Sequence, residues 1–220
     1  MKKIENDIKI LQTELVKLPT VWDGKKSILE LKEADYNWRQ MEWWAFYFEY
    51  KVRKLLENKL QIPGDKFGNV NFDLKGKINW DMKASAVKTN NQKIILNDKE
   101  SMDLSIAQNK YHGEIIALCD VEYNDNDRTF QKWHNELKGG ESKYEIERKQ
   151  RTANSRYRKT KALLWKIILL LISEDTVDIL ETHKQGRNSN GLPRRPKYML
   201  DIEDINDFKH YEIILNNELL

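Results

Sequence analysis

Three side chains between residues 70 and 84 have the types and the spacing for chemistry on a phosphate group: Asp73, Asp81 and Lys83. Two neighbouring carboxylates can hold one hard divalent cation such as Mg²⁺, which prefers oxygen ligands and keeps several water molecules. A lysine ammonium beside them can orient or activate a water molecule, or stabilise the charge that develops on a phosphate under attack. The alternative interpretation is an amphipathic hairpin with a solvated charged face, and the short pattern alone leaves both open.

The residues around this pattern predict two strands, 70–74 and 78–84, that form a hairpin. In both strands apolar and polar side chains alternate, as they do in a strand with one buried face. A three-residue loop, 75–77, would pair Leu74 with Ile78 and place every apolar side chain on the same face. In that register Asp73 and Asp81 are diagonal neighbours, with a backbone separation of roughly 7–8 Å.

The rest of the chain mixes predicted helices and strands, which favours one α/β domain, 1–220, with a central sheet. Apolar residues at helical spacing predict helices over 4–18, 36–60 and 101–109, the last capped from the region of Asn97 and Asp98. A further helix begins near Asp127 and ends at Gly139 and Gly140, and another covers 155–172. Strands are also predicted over 114–121, 176–180 and 198–202.

The net charge of +3 hides an uneven distribution along the chain. Residues 130–199 contain sixteen basic and eight acidic residues, a net charge of +8, and include two runs without any acid, 148–161 and 184–197. Such runs can neutralise nucleic-acid phosphates, although a basic run can also be a solvated helix face. Arginine beside asparagine or glutamine is the set of side chains that reads purine edges in a major groove. We therefore expect residues 130–199 to bind DNA.

The candidate DNA-binding residues fall into two groups, one in each run or beside it. Those expected mostly to contact phosphates are Lys143, Arg148, Arg151, Arg156 and Arg158. Those in the second run, which includes a candidate base-reading loop at 185–190, are Gln185, Arg187, Asn188, Asn190, Arg194 and Arg195.

The sequence also excludes several classes of protein. No apolar run approaches the roughly 20 residues of a membrane span, and the longest one, 162–172, fits a buried helix. The single cysteine, Cys119, excludes an intrachain disulfide and a multi-cysteine zinc site. The four histidines lack the spacing of a zinc hydrolase, and no G-x4-G-K-S/T loop is present, so no nucleotide cofactor is expected. We expect a soluble cytoplasmic protein in a reducing compartment.

Asp73, followed by Asp81, Met82 and Lys83 on the next predicted strand, resembles the PD-(D/E)xK nuclease motif, with Phe72 in place of the proline. The stretches 37–52, 130–144 and 185–199 are similar to parts of type II restriction endonucleases of this superfamily. The resemblance implies a mixed β-sheet flanked by helices, one or two Mg²⁺ ions per active site, and usually a homodimer on double-stranded DNA.

The resemblance also implies a set of metal ligands. Asp73, Asp81 and the main-chain carbonyl of Met82 would bind the metal. A glutamate from the preceding helix often completes such a site, and we prefer Glu49 over Glu42 because it lies deeper in the predicted helix.

The leading hypothesis is a type II site-specific endonuclease that hydrolyses phosphodiester bonds in double-stranded DNA with Mg²⁺. Residues 36–123 would form the catalytic core and 130–199 the DNA-binding segment. Lys83 would position or activate the attacking water. Two alternatives stay open: a structure-specific repair or recombination nuclease of the same fold, and a DNA-binding protein whose acidic hairpin is inert.

Overall fold

The computed structural model of the chain describes residues 2–63, 72–86, 93–150, 157–187 and 191–215. Its helices and strands, in chain order, are α1 (Lys2–Leu15), β1 (Val21–Asp23), α2 (Gly24–Glu33), α3 (Trp43–Leu56), β2 (Leu74–Lys75), β3 (Asn79–Ala86), β4 (Lys93–Asp98), α4 (Lys99–Asn109), β5 (Tyr111–Glu122), α5 (Thr129–Lys138), α6 (Lys143–Gln150), β6 (Lys161–Ser173), β7 (Glu181–His183), β8 (Lys197–Asp201) and β9 (Lys209–Ile214). Among these helices, none combines the length and the apolar character needed to cross a membrane.

The main sheet is mixed and, within the described residues, has six strands. Their order is β1-β6-β5-β3-β2, and β9 also pairs with β6. β3 and β5 are parallel and are connected through β4 and α4, whereas the other pairs are antiparallel. β4, β8 and β7 form a second, antiparallel sheet. The predicted α/β class, with a mixed central sheet flanked by helices, is confirmed at this level.

Apolar side chains cover both faces of the main sheet, and β5 and β6 separate the two sides of the core. Along β6, Ile167 and Leu169 pack with the side of the core that contains α1, α2 and α3. Ile168 and Leu170 pack on the other side with α4 and the second sheet. A strand buried on both faces is apolar at nearly every position, so its sequence lacks the alternation of a half-exposed strand. The helix predicted over 155–172 is therefore wrong, because residues 161–173 form β6.

The β2–β3 hairpin has the predicted parity but a different register. Leu74 pairs with Trp80, so the loop comprises residues 76–78 instead of 75–77. A shift by two residues keeps the apolar side chains on the same face, and both Leu74 and Trp80 are fully buried. The shift also moves Asp73 from a diagonal position to one directly across from Asp81. Residues 70 and 71 of the predicted first strand lie outside the described residues.

A buried acid on α1 holds the hairpin loop in this register. The Asp7 carboxylate accepts a hydrogen bond from the main-chain N–H of Lys77 at 2.6 Å and another from Trp80 Nε1 at 3.4 Å. A Cβ added at Gly76 would lie closer than 3.0 Å to the same carboxylate. The loop therefore closes tightly around Asp7, a contact between distant parts of the chain that the hairpin sequence does not reveal.

The other predicted helices correspond to observed ones with some changes of boundary. Helices α1 and α4 match the predictions over 4–18 and 101–109, and Asp98 caps α4 by accepting a hydrogen bond from the Ser101 N–H at 3.0 Å. The helix predicted over 36–60 is α3, which begins only at Trp43 because the preceding turns place Tyr36 and Trp38 in the core. The helix predicted from Asp127 to Gly139 is α5.

The strand predictions were correct at 114–121 and 198–202, which are β5 and β8. The strand predicted over 176–180 is wrong, because the chain turns there after β6. Ser173 donates its N–H to Thr176 Oγ1 at 3.0 Å, and a 3₁₀ turn at Val177–Ile179 follows. Six observed elements were not predicted from the sequence: β1, α2, β4, α6, β7 and β9.

Candidate active site

Asp73 and Asp81 face each other across the β2–β3 hairpin. The Asp73 N–H donates to the carbonyl of Trp80 at 3.0 Å, and the Asp73 carboxylate accepts from the N–H of Met82 at 2.7 Å. These two bonds place the half-buried Asp73 beside Asp81, which is buried. The Met82 amide therefore positions Asp73, while the predicted metal-binding role of the Met82 carbonyl stays a prediction.

The two facing carboxylates have opposite shifts of pKa. Burial raises the pKa of Asp73 to about 7, and the nearby Asp81 carboxylate adds to the rise. Burial also opposes the ionisation of Asp81, but Lys83 and His112 hold the pKa of Asp81 below its ordinary value, with help from an Asn97 amide that donates at 2.5 Å. Asp81 is therefore the ionised member of the pair, and Asp73 gains and loses a proton near neutral pH.

Lys83 lies half-buried on the same face of β3 as Asp81. Burial alone would lower its pKa, but the surrounding carboxylates raise it above its ordinary value. Those carboxylates belong to Glu114, Asp81, Asp73 and Glu49. The Lys83 amine is therefore an ammonium at neutral pH, suited to stabilising negative charge and not to accepting a proton.

β5 brings two further groups to this cluster that the sequence analysis missed. The parallel pairing places Glu114 opposite Asp81 and His112 opposite Asn79. His112 Nε2 lies 3.1 Å from Asp81 Oδ2 and 3.6 Å from Glu114 Oε1, and both residues on β5 are fully buried. Burial works against a charged imidazole, but the two carboxylates raise the pKa of His112 to about 9.

Asp81, His112 and Glu114 could hold a metal ion. One ligand atom from each residue lies within 4.8 Å of the other two. Neither carboxylate oxygen of Glu114 has a hydrogen-bond partner among the described residues, and such buried oxygens are suited to a cation. The second ring nitrogen of His112, Nδ1, lies 3.1 Å from the Ser105 hydroxyl on α4, which orients the ring.

The signal for these two missed residues in the sequence is weak. His112 and Glu114 are spaced by two, so they lie on one face of β5. The spacing of a zinc motif within one segment does not reveal His112, because this group is assembled from two strands. Knowledge that β3 and β5 are neighbours would have identified it.

Helix α3 contributes Glu49 to the same cluster. The Glu49 carboxylate accepts a hydrogen bond from the Tyr36 hydroxyl and lies 3.5 Å from Arg53 Nη1. Burial raises the pKa of Glu49, while the charges of Arg53 and Lys83 lower it and Asp81 raises it further. Glu49 is therefore close enough to the hairpin for their charges to interact.

Glu42, the alternative to Glu49, lies at the other end of the same helix. It occupies the N-cap position of α3 and lines a cavity with Arg39 and Arg158. The structure thus brings Glu49 to the Asp73–Asp81 pair and places Glu42 elsewhere.

The residues of the cluster differ in depth. Asp81, His112 and Glu114 form a buried floor, whereas Asp73 and Lys83 are half-buried and Glu49 keeps 22% of its side chain exposed. A ligand that approaches from solvent therefore meets Asp73, Lys83 and Glu49 first.

A glycine sets the fit between the two strands that carry the floor. Gly113 lies directly opposite Trp80 in the parallel pair. A Cβ at Gly113 would come closer than 3.0 Å to the indole ring of Trp80. Because Gly113 lies between His112 and Glu114, and Trp80 precedes Asp81, this close packing positions three of the site's side chains.

The predicted phosphate contacts lie in different environments. Lys143 and Arg148 are on α6, and Lys143 is exposed. Arg158 is only 4% exposed and forms an ion pair with Glu145, so it does not belong to an open basic surface. Arg151 and Arg156 lie outside the described residues.

The predicted base-reading loop is described only at its two ends. Gln185 is half-buried, and exposed Arg187 donates from Nη1 to the Gly191 carbonyl at 2.7 Å. Asn188 and Asn190 lie outside the described part of the chain. Base reading by this loop stays a prediction.

Arg194 and Arg195 follow this loop and point to different neighbours. The Arg194 N–H donates to the Gly186 carbonyl at 3.0 Å, and its side chain lines the cavity that contains Glu42. Arg195 lies 3.2 Å from Glu100 of α4 and away from that cavity.

Comparisons with known proteins do not assign the chain to a family. It matches no protein-family model, and neither the curated proteins nor the solved structures contain a match. The resemblance to PD-(D/E)xK nucleases therefore rests on the residues of the motif and stays a prediction.

Proposed function

We propose that this chain is a metal-dependent nuclease that hydrolyses phosphodiester bonds in double-stranded DNA, with site-specific cleavage of the type II restriction class. The observation that carries the proposal is the Lys83 ammonium among carboxylates from α3, the β2–β3 hairpin and β5. A cation beside a group of acids at a solvent-facing rim can bind a phosphate and a metal ion together.

The Mg²⁺ ion would be held by Asp73, Asp81 and Glu49. Asp81 also belongs to the buried floor that it forms with His112 and Glu114. The carboxylate oxygens suit Mg²⁺. Burial and then repulsion from Asp81 raise the pKa of Asp73, and a cation would relieve that repulsion. Bound there, Mg²⁺ supplies polarisation of a phosphate oxygen and a lowered pKa of water.

The protein's own groups have distinct tasks in this proposal. Lys83 stabilises the negative charge that develops on the phosphate and orients the attacking water, since its raised pKa keeps it protonated. His112 and the Asn97 amide fix the orientation of Asp81. The Met82 N–H fixes Asp73.

The rest of the proposed function concerns the partner. The basic segment 130–199 would bind the DNA backbone, and the symmetry of most duplex targets favours a homodimer. The described candidates that are exposed, and can therefore reach DNA, are Lys143, Arg187, Arg194 and Arg195.

The test is incubation of the purified protein with plasmid DNA and Mg²⁺. Discrete fragments support a site-specific endonuclease. Nicking, or degradation only at junctions and ends, would contradict site-specific cleavage and support the structure-specific nuclease. DNA binding without cleavage, with Mg²⁺ and with Mn²⁺, would contradict both nuclease hypotheses and support the DNA-binding protein.

Two pairs of variants test the site assignment. Lys83→Ala and Asp73→Asn are expected to abolish cleavage while DNA binding survives. Lys77→Ala, on the exposed loop of the same hairpin, and Glu57→Gln, on the exposed end of α3, are the matched controls and should cleave normally. Cleavage retained by Lys83→Ala or Asp73→Asn would contradict the assignment.

A further inference from the structure

A second site is suggested by a cavity of about 800 Å³ at the N-terminal end of α3. The segment that joins α5 to α6 forms another wall, and Arg194 closes a third side. Positive side chains outnumber negative ones in its lining. The cations are Arg39, Lys138, Arg148, Arg158 and Arg194, and the carboxylates are Glu42, Glu141 and Glu145.

Part of this positive charge is buried. Arg158 is 4% exposed and Lys138 keeps 11% of its side chain exposed, and both share the single carboxylate of Glu145. Burial lowers the pKa of both cations despite that carboxylate. The Arg158 Nε atom has no hydrogen-bond partner in the described part of the chain. The carboxylates of Glu42 and Asp125 also act on Arg158, and the floor places two cations beside one shared carboxylate in an environment that solvates charge poorly.

The exposed arginines at the rim add to the excess. Arg39 lies over the ring of Trp38, with its guanidinium carbon 4.7 Å from the ring centroid, so the aromatic ring supports it. Within the described residues, neither Arg39 nor Arg194 has a carboxylate within ion-pair distance. The third carboxylate of the lining, Glu141, bonds to Lys149. The rim thus presents guanidinium groups whose planar N–H donors match phosphate oxygens.

The backbone leaves room for a ligand at one wall. Gly139 and Gly140 both have positive φ, and a Cβ built on either would meet nothing within 4 Å. Bare backbone at this wall lets a ligand approach closely.

From the buried cations and the arginine rim we infer that this cavity binds a phosphate group carried by a nucleotide, either as a nucleic-acid backbone phosphate or as a free nucleotide. The volume exceeds that of one phosphate and leaves space for the attached sugar. The backbone-phosphate version rests on the proposed function, because it makes the cavity a contact for the DNA strand being cut.

The position of the cavity relative to the candidate active site fits that version. Glu42 lines the cavity and Glu49 belongs to the catalytic cluster, and seven residues separate them on α3. Seven residues are two helical turns, so both side chains lie on nearly the same face, roughly 10 Å apart along the axis. That distance equals about three nucleotide steps of B-form DNA at ~3.4 Å each.

The test compares rim variants with matched controls for binding of three probes. The test variants are Arg39→Gln and Arg194→Gln, singly and together. Lys32→Gln is the control for Arg39, because Lys32 lies over the same Trp38 ring without lining the cavity. Lys26→Gln is the control for Arg194, because Lys26 is an exposed cation on α2 that lies outside both the cavity lining and the basic segment 130–199. Circular dichroism and thermal unfolding would verify that all five variants fold alike.

Inorganic phosphate, adenosine monophosphate and a short duplex DNA are titrated by calorimetry, using the Asp73→Asn protein so that no cleavage interferes. We expect each test substitution to weaken binding of adenosine monophosphate about tenfold, as for the loss of a hydrogen bond to a charged group, and the controls to leave it unchanged. A matching loss for the duplex assigns the cavity to a backbone phosphate. A loss for the mononucleotide alone assigns it to a free nucleotide.

Two results would overturn the inference. In the first, the test and control variants bind all three probes equally well. In the second, neither inorganic phosphate nor adenosine monophosphate binds, and the test substitutions leave duplex binding unchanged. The proposed nuclease function fails separately, if the unsubstituted protein does not cleave DNA with Mg²⁺ or Mn²⁺. Phosphate binding that is lost in the rim variants would still support the cavity in that case.

Discussion

Replacement of Glu145 by glutamine tests whether one buried carboxylate holds the α5–α6 region together. Glu145 accepts hydrogen bonds from the Ser142 N–H at 3.1 Å and from the Ser142 hydroxyl at 3.0 Å, and Ser142 in turn accepts from the Glu145 N–H. This reciprocal pattern is a capping box at the start of α6. Gln131 donates to the same carboxylate at 3.2 Å, and Arg158 and Lys138 supply its counter-charges.

The size of the expected loss follows from the pKa of this carboxyl. Burial opposes ionisation, but the Ser142 hydrogen bonds and the two cations lower the pKa of Glu145 to about 2, against an ordinary value of 4.5. A shift of about 2.5 pH units corresponds to roughly 3 kcal/mol. Removal of one partner from a buried ion pair costs about 3–5 kcal/mol. Because the side chain is only 8% exposed, solvent screening reduces these figures little.

The sign of the pH dependence follows from the lowered pKa. A carboxyl whose pKa is lower in the folded state stabilises the protein at pH values above its unfolded pKa, and this contribution disappears as the pH falls from about 4.5 towards 2. Glu145→Gln should therefore lower the free energy of unfolding by about 3 kcal/mol at pH 7. The difference between the two proteins should shrink progressively below about pH 4.5.

The assay is denaturant unfolding at pH 7 and at several acidic pH values, followed by fluorescence and circular dichroism. Glu141→Gln is the control, since it removes one acid from the same segment but, among the described residues, breaks only the pair with exposed Lys149, which is worth at most about 1 kcal/mol. A Glu145→Gln protein within 1 kcal/mol of the original at pH 7, or a difference that stays constant as the pH falls, would refute this reasoning.

Three further predictions concern the core. Gly113→Ala should destabilise the fold by about 1–3 kcal/mol or more in denaturant unfolding, because the added methyl group overlaps the Trp80 ring; unchanged stability would contradict the close packing. Burial lowers the pKa of His134 to about 4, so the contribution of this residue to stability should decline as the pH falls from about 6.5 towards 4. The difference in unfolding free energy between the original protein and His134→Gln, which would still offer an N–H to the Trp38 carbonyl, should decrease over that window; a constant difference would contradict the lowered pKa. Burial raises the pKa of the Cys119 thiol, so a thiol reagent should modify it only at the rate of unfolding; rapid labelling of the native protein would contradict its burial.

Local patterns in the sequence were sufficient where the contacts are local. The alternation on both sides of the hairpin loop predicts the shared apolar face, and Asp98, as an N-cap residue, indicates the start of α4. The placement of Asp73 and Asp81 on one face follows from the same alternation once the parity of the loop is fixed, and the predicted diagonal position was replaced by a direct one. The exact register does not, because Asp7, far away in the chain, holds the loop.

The errors arose where tertiary packing decides the outcome. A strand that is covered on both faces, such as β6, has the composition of a buried helix, so 162–172 carries no local sign of its structure. His112 and Glu114 join the site because β5 pairs with β3. The pairing of distant strands cannot be predicted from local composition. The basic run around Arg158 suggests a solvent-facing patch, yet this arginine is buried and forms an ion pair with Glu145.

The shared position of β5 and β6 between the two sides of the core has a consequence for cooperativity. Neither side can lose its packing without exposing these strands to water from the other side, so the two sides should unfold in a single transition. Amide hydrogens in the middle of β5 and β6 should then exchange only through global unfolding, and they report the full stability of the protein. His112 and Glu114 belong to β5, so the geometry of the candidate site depends on a strand whose middle opens only when the whole protein unfolds.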